Sequence, residues 1–258
     1  MKIHFLTFTN TTYMVPHRIL SEAESFGFDS ITRMSELDIP EFLEKHKDFI
    51  QRNSFGYGLY IWKPKVILDK LNSIDDNDVL IYCDAGVHLN SRGLDRYHEY
   101  IDLMKNEEML TFSTNDVYVA QHWAKRKAVD YYFPEFAKRK DRYCYAGLLM
   151  IKKTKSTINL IQDWLGLCER YDFIDKSPSR LPEYPGFVGQ DTDNGLLNIC
   201  LVKHNISSYI YPDETNIYLS NGLQNYLGNN EEWEVLNKYP FQYRRLRPGN
   251  IFYDMSSM

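Results

Sequence analysis

The chain has 258 residues, 43% of them hydrophobic and 25% charged, a composition that suits a folded domain with a sizeable core. A net charge of −5 provides no global basic field and argues against nucleic acid as a partner. No apolar run reaches the roughly 20 residues that a membrane-crossing helix needs, so no transmembrane segment is expected.

Residues 2–8 form an apolar run that ends in Thr9-Asn10, a strand followed by a turn. Helical spacing over 13–26 leads to a second strand at 29–33. Helices are expected at 41–51 and at 60–71, the latter tolerating Pro64 in its first turn. The stretch 78–83, DVLIYC, is almost continuously apolar, as a strand buried on both faces of a parallel sheet must be. A helix at 93–105, a strand at 109–113 and a strand at 143–152 follow. The pattern then gives helices at 156–171, with Trp164 on the apolar side, and 191–204, and a short strand at 208–211. From about 222 the chain reads as an irregular polar extension of a single domain spanning 1–258.

Strands alternating with helices predict an α/β fold, a mainly parallel sheet flanked by helices. Ligands of such sheets bind beyond the carboxyl ends of the strands. The segments 7–10, 84–88, 113–116 and 152–154, each following a strand, are therefore the expected lining of the site. The four cysteines (Cys83, Cys144, Cys168 and Cys200) lack metal-site spacing. They read as reduced thiols, which predicts a cytoplasmic protein, with docking at a membrane surface as its route to any lipid-linked substrate. The basic runs at 125–127, 138–140 and 244–247 read as solvated surface, with the last as a candidate for phosphate contact.

Three motifs carry chemistry. Asp84 follows the most buried strand, where a carboxylate faces a cleft; a hard cation such as Mn²⁺ or Mg²⁺ bridges carboxylate and phosphate oxygens in this way. The competing reading is an Asp that caps its own loop. In GYGLYIWKPK, Tyr57, Trp62 and Lys63 precede or open a helix, a place that favours phosphate; otherwise the aromatics pack on the sheet and Lys63 is exposed. Asp191 and Asp193 crowd the first turn of a helix, where one can serve as N-cap and the other can meet a substrate hydroxyl or a reacting carbon.

In order, GYGLYIWKP, VLIYCDAG, YAGLLMIKK and DNGLLNIC resemble a family of bacterial and viral glycosyltransferases that build capsules and surface glycans. The resemblance covers roughly residues 1–206. It implies a GT-A fold and a metal-dependent transfer of sugar from a nucleotide-sugar donor, UDP-linked, to a glycan acceptor, with retention of anomeric configuration the favoured outcome. By position, Asp84, Ala85 and Gly86 match the metal-binding DxD element, and Lys63 lies near the diphosphate. Thr7, Thr9 and Asn10 line the nucleoside pocket. Gly147 belongs to the donor site and, with Ala146, floors the acceptor side. Asp193 and Asn194 sit by the anomeric carbon, with Asp191 as the candidate base of an inverting reaction. The second Asp of DxD is Gly86 here, so His88 or His204 is expected to supply the missing ligand. The third motif position, usually Asp, is Gly195. The competing functions are a nucleotidyltransferase, whose Gly-rich loop is missing after the first strand, and a non-catalytic sugar- or nucleotide-binding module.

Overall fold

A computed structural model describes residues 1–10, 16–113, 119–206, 208–210 and 238–242. The elements in chain order are β1 (Ile3–Phe8), α1 (Pro16–Glu24), β2 (Ser30–Met34), α2 (Pro40–Lys45), α3 (Lys47–Arg52), the short turn α4 (Gly56–Leu59) and α5 (Lys63–Ser73). Next come β3 (Val79–Cys83), β4 (His88–Leu89), α6 (Leu94–Leu103), β5 (Met109–Ser113), α7 (Arg126–Tyr132) and β6 (Cys144–Lys152). The last are α8 (Lys155–Cys168), α9 (Tyr171–Ile174), α10 (Thr192–Lys203), β7 (Ser208–Ile210) and β8 (Phe241–Gln242). The expected extension from 222 and the basic run 244–247 lie almost wholly outside the described residues, as do most of 113–116.

Six strands form one sheet in the order β2-β1-β3-β6-β5-β7, and β4 with β8 makes a separate two-stranded ladder. β1, β2 and β3 are mutually parallel and β5 is parallel to β7, while β6 runs against both of its neighbours. The fold is thus α/β with a mixed, mainly parallel sheet. Side chains of a strand alternate between faces, so Leu6, Phe8, Leu80 and Tyr82 enter one core with α5, α8 and α10. Phe5, Val79, Ile81 and Cys83 enter a second core with α1 and α6. Every residue of β3 is buried, as expected for the central strand.

The direction of β6 corrects the sequence-based map. Val79 pairs with Lys152 and Cys83 with Leu148, so 152–154 lies at the end of the sheet remote from Asp84. The start of β6 instead joins the site. Between Cys144 and Gly147 it runs past the end of β3. Asn198 of α10 supplies the missing edge: it accepts from the Cys144 N–H and donates to the Cys144 carbonyl, both at 2.9 Å. Asn194, one turn earlier, accepts from the Ala146 N–H at 2.6 Å. Buried backbone groups need partners, and two side-chain amides provide them here. The expected helix at 41–51 is two helices, broken at His46, whose ring is buried and bonded to Tyr171 and Glu169.

Candidate active site

β3 delivers Asp84 to the sheet edge on the face of Tyr82. The Asp84 N–H donates to the Gly147 carbonyl and its own carbonyl closes a turn to the Val87 N–H, each at 2.9 Å. Its side chain is 26% exposed and meets the Lys63 Nζ at 3.0 Å, while the Tyr82 hydroxyl donates to it at 2.7 Å. The loop that follows is fastened from outside. Arg18 of α1 donates to the carbonyls of Ala85 and Val87, and Glu22 accepts from the Leu89 N–H and contacts His88. Burial raises the Glu22 carboxyl, yet His88, Arg18 and Leu89 outweigh it and leave it below its ordinary value. Neither Arg18 nor Glu22 is marked out in the sequence; both belong to an ordinary amphipathic turn.

Lys63 opens α5 but is not the exposed lysine of the bland reading: it is 3% exposed. The backbone before it explains why. Gly56, Tyr57, Gly58, Leu59 and Tyr60 all have positive φ, between 53° and 87°, a left-handed turn that is costly for residues other than glycine. It is held by the Trp62 indole, which donates to the Gly56 carbonyl at 3.1 Å. At Gly58 a Cβ would lie 2.7 Å from Ile50 Cγ1. The turn sends Lys63 inward, over the rings of Tyr60 and Tyr82 at 4.8 and 5.7 Å. Trp62 stacks on Phe8 with centroids 3.9 Å apart, so one face of its ring and its N–H are committed to the fold. Tyr57 is half-buried against the same core.

Asp193 completes the cluster from α10. Its Oδ2 stands 3.6 Å from the Lys63 Nζ and has no hydrogen-bond donor among the described residues. Thr192 donates to Oδ1, and the Trp164 indole donates to the Asp193 carbonyl. Burial lifts the carboxyl to about 7, helped by the charges of Asp84 and Asp191 and opposed by Lys63. Asp191, half-exposed, accepts from the Tyr143 hydroxyl and from Asn194 Nδ2 at 3.3 Å. Burial, and the carboxylate beside it, hold the Tyr143 hydroxyl well above its ordinary value, so it stays a donor. The capping expectation fails for both carboxylates: Asp191 occupies the N-cap position but its side chain makes no capping bond. Asn194 is 9% exposed and bonded to Ala146 and Tyr143, so it positions α10 on β6 and does not reach out to a sugar. Gly195 has a steric reason to be glycine, since a Cβ there would lie 2.2 Å from the Trp123 carbonyl.

The remaining expected residues are dispersed. Thr7 and Thr9 share the face of Phe5, opposite the Asp84 side chain, and Thr7, Thr9 and Asn10 are all buried. The Thr7 hydroxyl has no partner among the described residues, and Thr9 accepts from Arg33 Nε at 2.6 Å. Arg33 is thereby a further cation at this sheet edge that motif reading missed. The basic run at 125–127 is not simply solvated: Lys125 is buried and bonded to Asp175 at 2.6 Å.

The two histidines expected as metal ligands are placed differently. His88 is bonded through Nδ1 to Glu22 at 2.9 Å, the kind of carboxylate contact that also orients a ligating imidazole. His204 is bonded to Asp163 at 2.8 Å beyond the far end of α10, about 16 Å along the helix from Asp193. Among the described residues no group of three or more His, Cys, Asp or Glu is placed to hold an ion. One partly exposed carboxylate, Asp84, fits an ion whose other ligands are phosphate oxygens and water; it does not fit an ion held by protein alone. No described helix is long and apolar enough to cross a membrane, and all four cysteines are buried thiols.

No family model matches the chain, and no curated protein does. Solved structures similar to it include a glycosyltransferase involved in the glycosylation of the major capsid of PBCV-1, 12% identical with a TM-score of 0.46, over 94% of this chain and 92% of that one. Mouse xyloside xylosyltransferase 1 is 8% identical with a TM-score of 0.42, over 81% and 85%. The glycosyltransferase GlyE of Streptococcus pneumoniae TIGR4 is 11% identical with a TM-score of 0.42, over 97% of this chain and 57% of GlyE.

Proposed function

We propose that the chain is a GT-A-type glycosyltransferase that moves a sugar from a UDP-linked donor to a hydroxyl of a glycan acceptor. One observation carries the reading. Asp84, at the tip of a wholly buried strand, is partly exposed and shares a buried ammonium, Lys63, with a buried carboxylate, Asp193. Burying an ammonium and a carboxylate is costly unless they are paired, and a fold needs no such cluster at its sheet edge. The ordered resemblance of the four motifs supports the same reading.

In this proposal Asp84 would be the one carboxylate ligand, among the described residues, of a Mn²⁺ or Mg²⁺ ion that comes with the donor. Such an ion supplies charge neutralisation to the departing diphosphate. Lys63 fixes the Asp84 carboxylate. The Arg18 and Glu22 contacts hold the 84–88 loop at the sheet edge. Retention of configuration is the outcome that the resemblance around Asp193 favours. An inverting reaction would use Asp191, the more exposed carboxylate, as base for the acceptor hydroxyl. A cytoplasmic site of action, with docking at a membrane when the acceptor is lipid-linked, suits four reduced thiols.

The test is incubation with UDP-glucose or UDP-galactose and Mn²⁺, followed by chromatography for UDP. Slow release of UDP that disappears in Asp84→Ala is the expected result. Donor binding with no release under any condition would identify a binding module instead. NMR of the product's anomeric proton separates retention from inversion.

A further inference from the structure

Beside Asp191 the fold opens into a cavity of about 880 Å³, within the roughly 300–1,000 Å³ typical of ligand sites. Neither Lys63 nor Asp84 lines it. It is lined by Asp191 and Thr192, by Trp123, Lys125 and Phe55, and by the stretches 176–183 and 187–190. Phe55, Leu181 and Val188, all in this lining, are half or more exposed, an unusual concentration of bare apolar surface for a soluble domain. The lining carries charges of both signs: Lys125 is neutralised by Asp175, Glu183 accepts from the Arg126 N–H, and Asp191 accepts from the Tyr143 hydroxyl. Lys176 and Arg180 are exposed on the rim and form no ion pair with any described residue. The cavity also communicates with the cluster: Phe55 packs edge-on against Tyr60, at 5.7 Å, and the Tyr60 ring lies under the Lys63 ammonium.

We infer that this cavity is the acceptor site and that it takes a glycan bearing an anionic group, a uronate or a sugar phosphate. The inference rests on the transferase reading and names its second substrate. Apolar faces of sugar rings pack on Phe55 and Trp123, a hydroxyl reaches the Asp191 carboxylate, and the anionic group meets Lys176 and Arg180. The two rim cations would complement the anionic group, and specificity of this kind comes from charge complementarity.

The full chain is applied to an array carrying uronate-bearing, phosphate-bearing and neutral glycans. The strongest binder is then titrated against wild type and the Lys176→Ala/Arg180→Ala double variant, with melting temperature as the check on folding. Binding confined to acidic glycans and weakened about ten-fold or more in the double variant is expected. The array itself distinguishes uronate from phosphate. Equal binding of neutral glycans, unchanged affinity in a folded double variant, or no glycan binding at all would overturn the inference. Titration of wild type with UDP and Mn²⁺ runs in parallel. UDP binding without glycan binding removes the acceptor assignment alone, whereas glycan binding without UDP binding removes the transferase reading.

Discussion

Asp193 is 2% exposed and its carboxyl is lifted to about 7, mainly by burial, from an ordinary value of 3.8. A carboxyl raised on folding binds more protons in the folded chain than in the unfolded one. Stability from this group is therefore full below pH about 4 and falls as pH rises towards 7 and just beyond. A gap of about 3 units corresponds to about 4 kcal/mol, of which about 2–3 kcal/mol falls between pH 5 and pH 8. Asp193→Asn keeps the shape and abolishes the titration. Urea unfolding of both proteins at pH 5 and pH 8, followed by tryptophan fluorescence, isolates the effect. The variant's stability relative to wild type should rise by about 2 kcal/mol between the two pH values. An offset that is the same at both would mean that Lys63 keeps Asp193 ionised throughout, and the argument from burial would be wrong.

Asp84→Ala should abolish Mn²⁺-dependent UDP binding in calorimetry and also lower the melting temperature, because it leaves the buried Lys63 ammonium with Asp193 alone; circular dichroism at 25 °C checks that the variant is folded. Mn²⁺ should bind the protein alone far more weakly than with UDP present, as electron paramagnetic resonance of free Mn²⁺ would show; tight binding without UDP would mean that the protein holds the ion by itself. Asn198→Ala should destabilise the fold by about 2–3 kcal/mol in urea unfolding, since the buried Cys144 N–H and carbonyl both lose their partner. Gly58→Ala combines a φ of +87° with a 2.7 Å contact to Ile50. It should cost about 2 kcal/mol or more and lower donor affinity, because the turn that aims Lys63 is disturbed.

Asp84 was legible because its signal is local: five consecutive buried residues, Val79–Cys83, followed by an acid. The direction of β6 was not, because an apolar run has no polarity of direction. Its reversal moves 152–154 away from the site and brings Cys144–Gly147 into it. Trp62 and Lys63 show a second limit. The motif marked both as near the donor, but an indole that stacks on a base and one that stacks on Phe8 leave the same letter in the sequence. Only the left-handed turn before them settles that Trp62 packs inward and that Lys63 is buried. Arg18 and Glu22 were invisible because their role depends on where α1 docks, far from the loop in sequence. Gly195 looked like a lost acid, and it is a close approach to the Trp123 carbonyl.

If an ion binds as proposed, the electrostatics of the cluster set how a single strand-tip carboxylate would hold it. Lys63 carries one positive charge against Asp84 and Asp193 at 3.0 and 3.6 Å. With the Asp193 carboxyl at about 7, the three groups together hold between zero and one negative charge near neutral pH. A bare diphosphate brought to this edge gains nothing from the cluster, because Lys63 is already matched. An ion accompanying the diphosphate changes the sign: its charge outweighs the remaining carboxylate, and Asp84 becomes attractive to the complex while staying indifferent to the diphosphate alone. A second carboxylate in place of Gly86 would let the protein hold an ion before the donor arrives. With one, the proposal makes binding of ion and donor mutually dependent, and by linkage each should raise the other's affinity by the same factor.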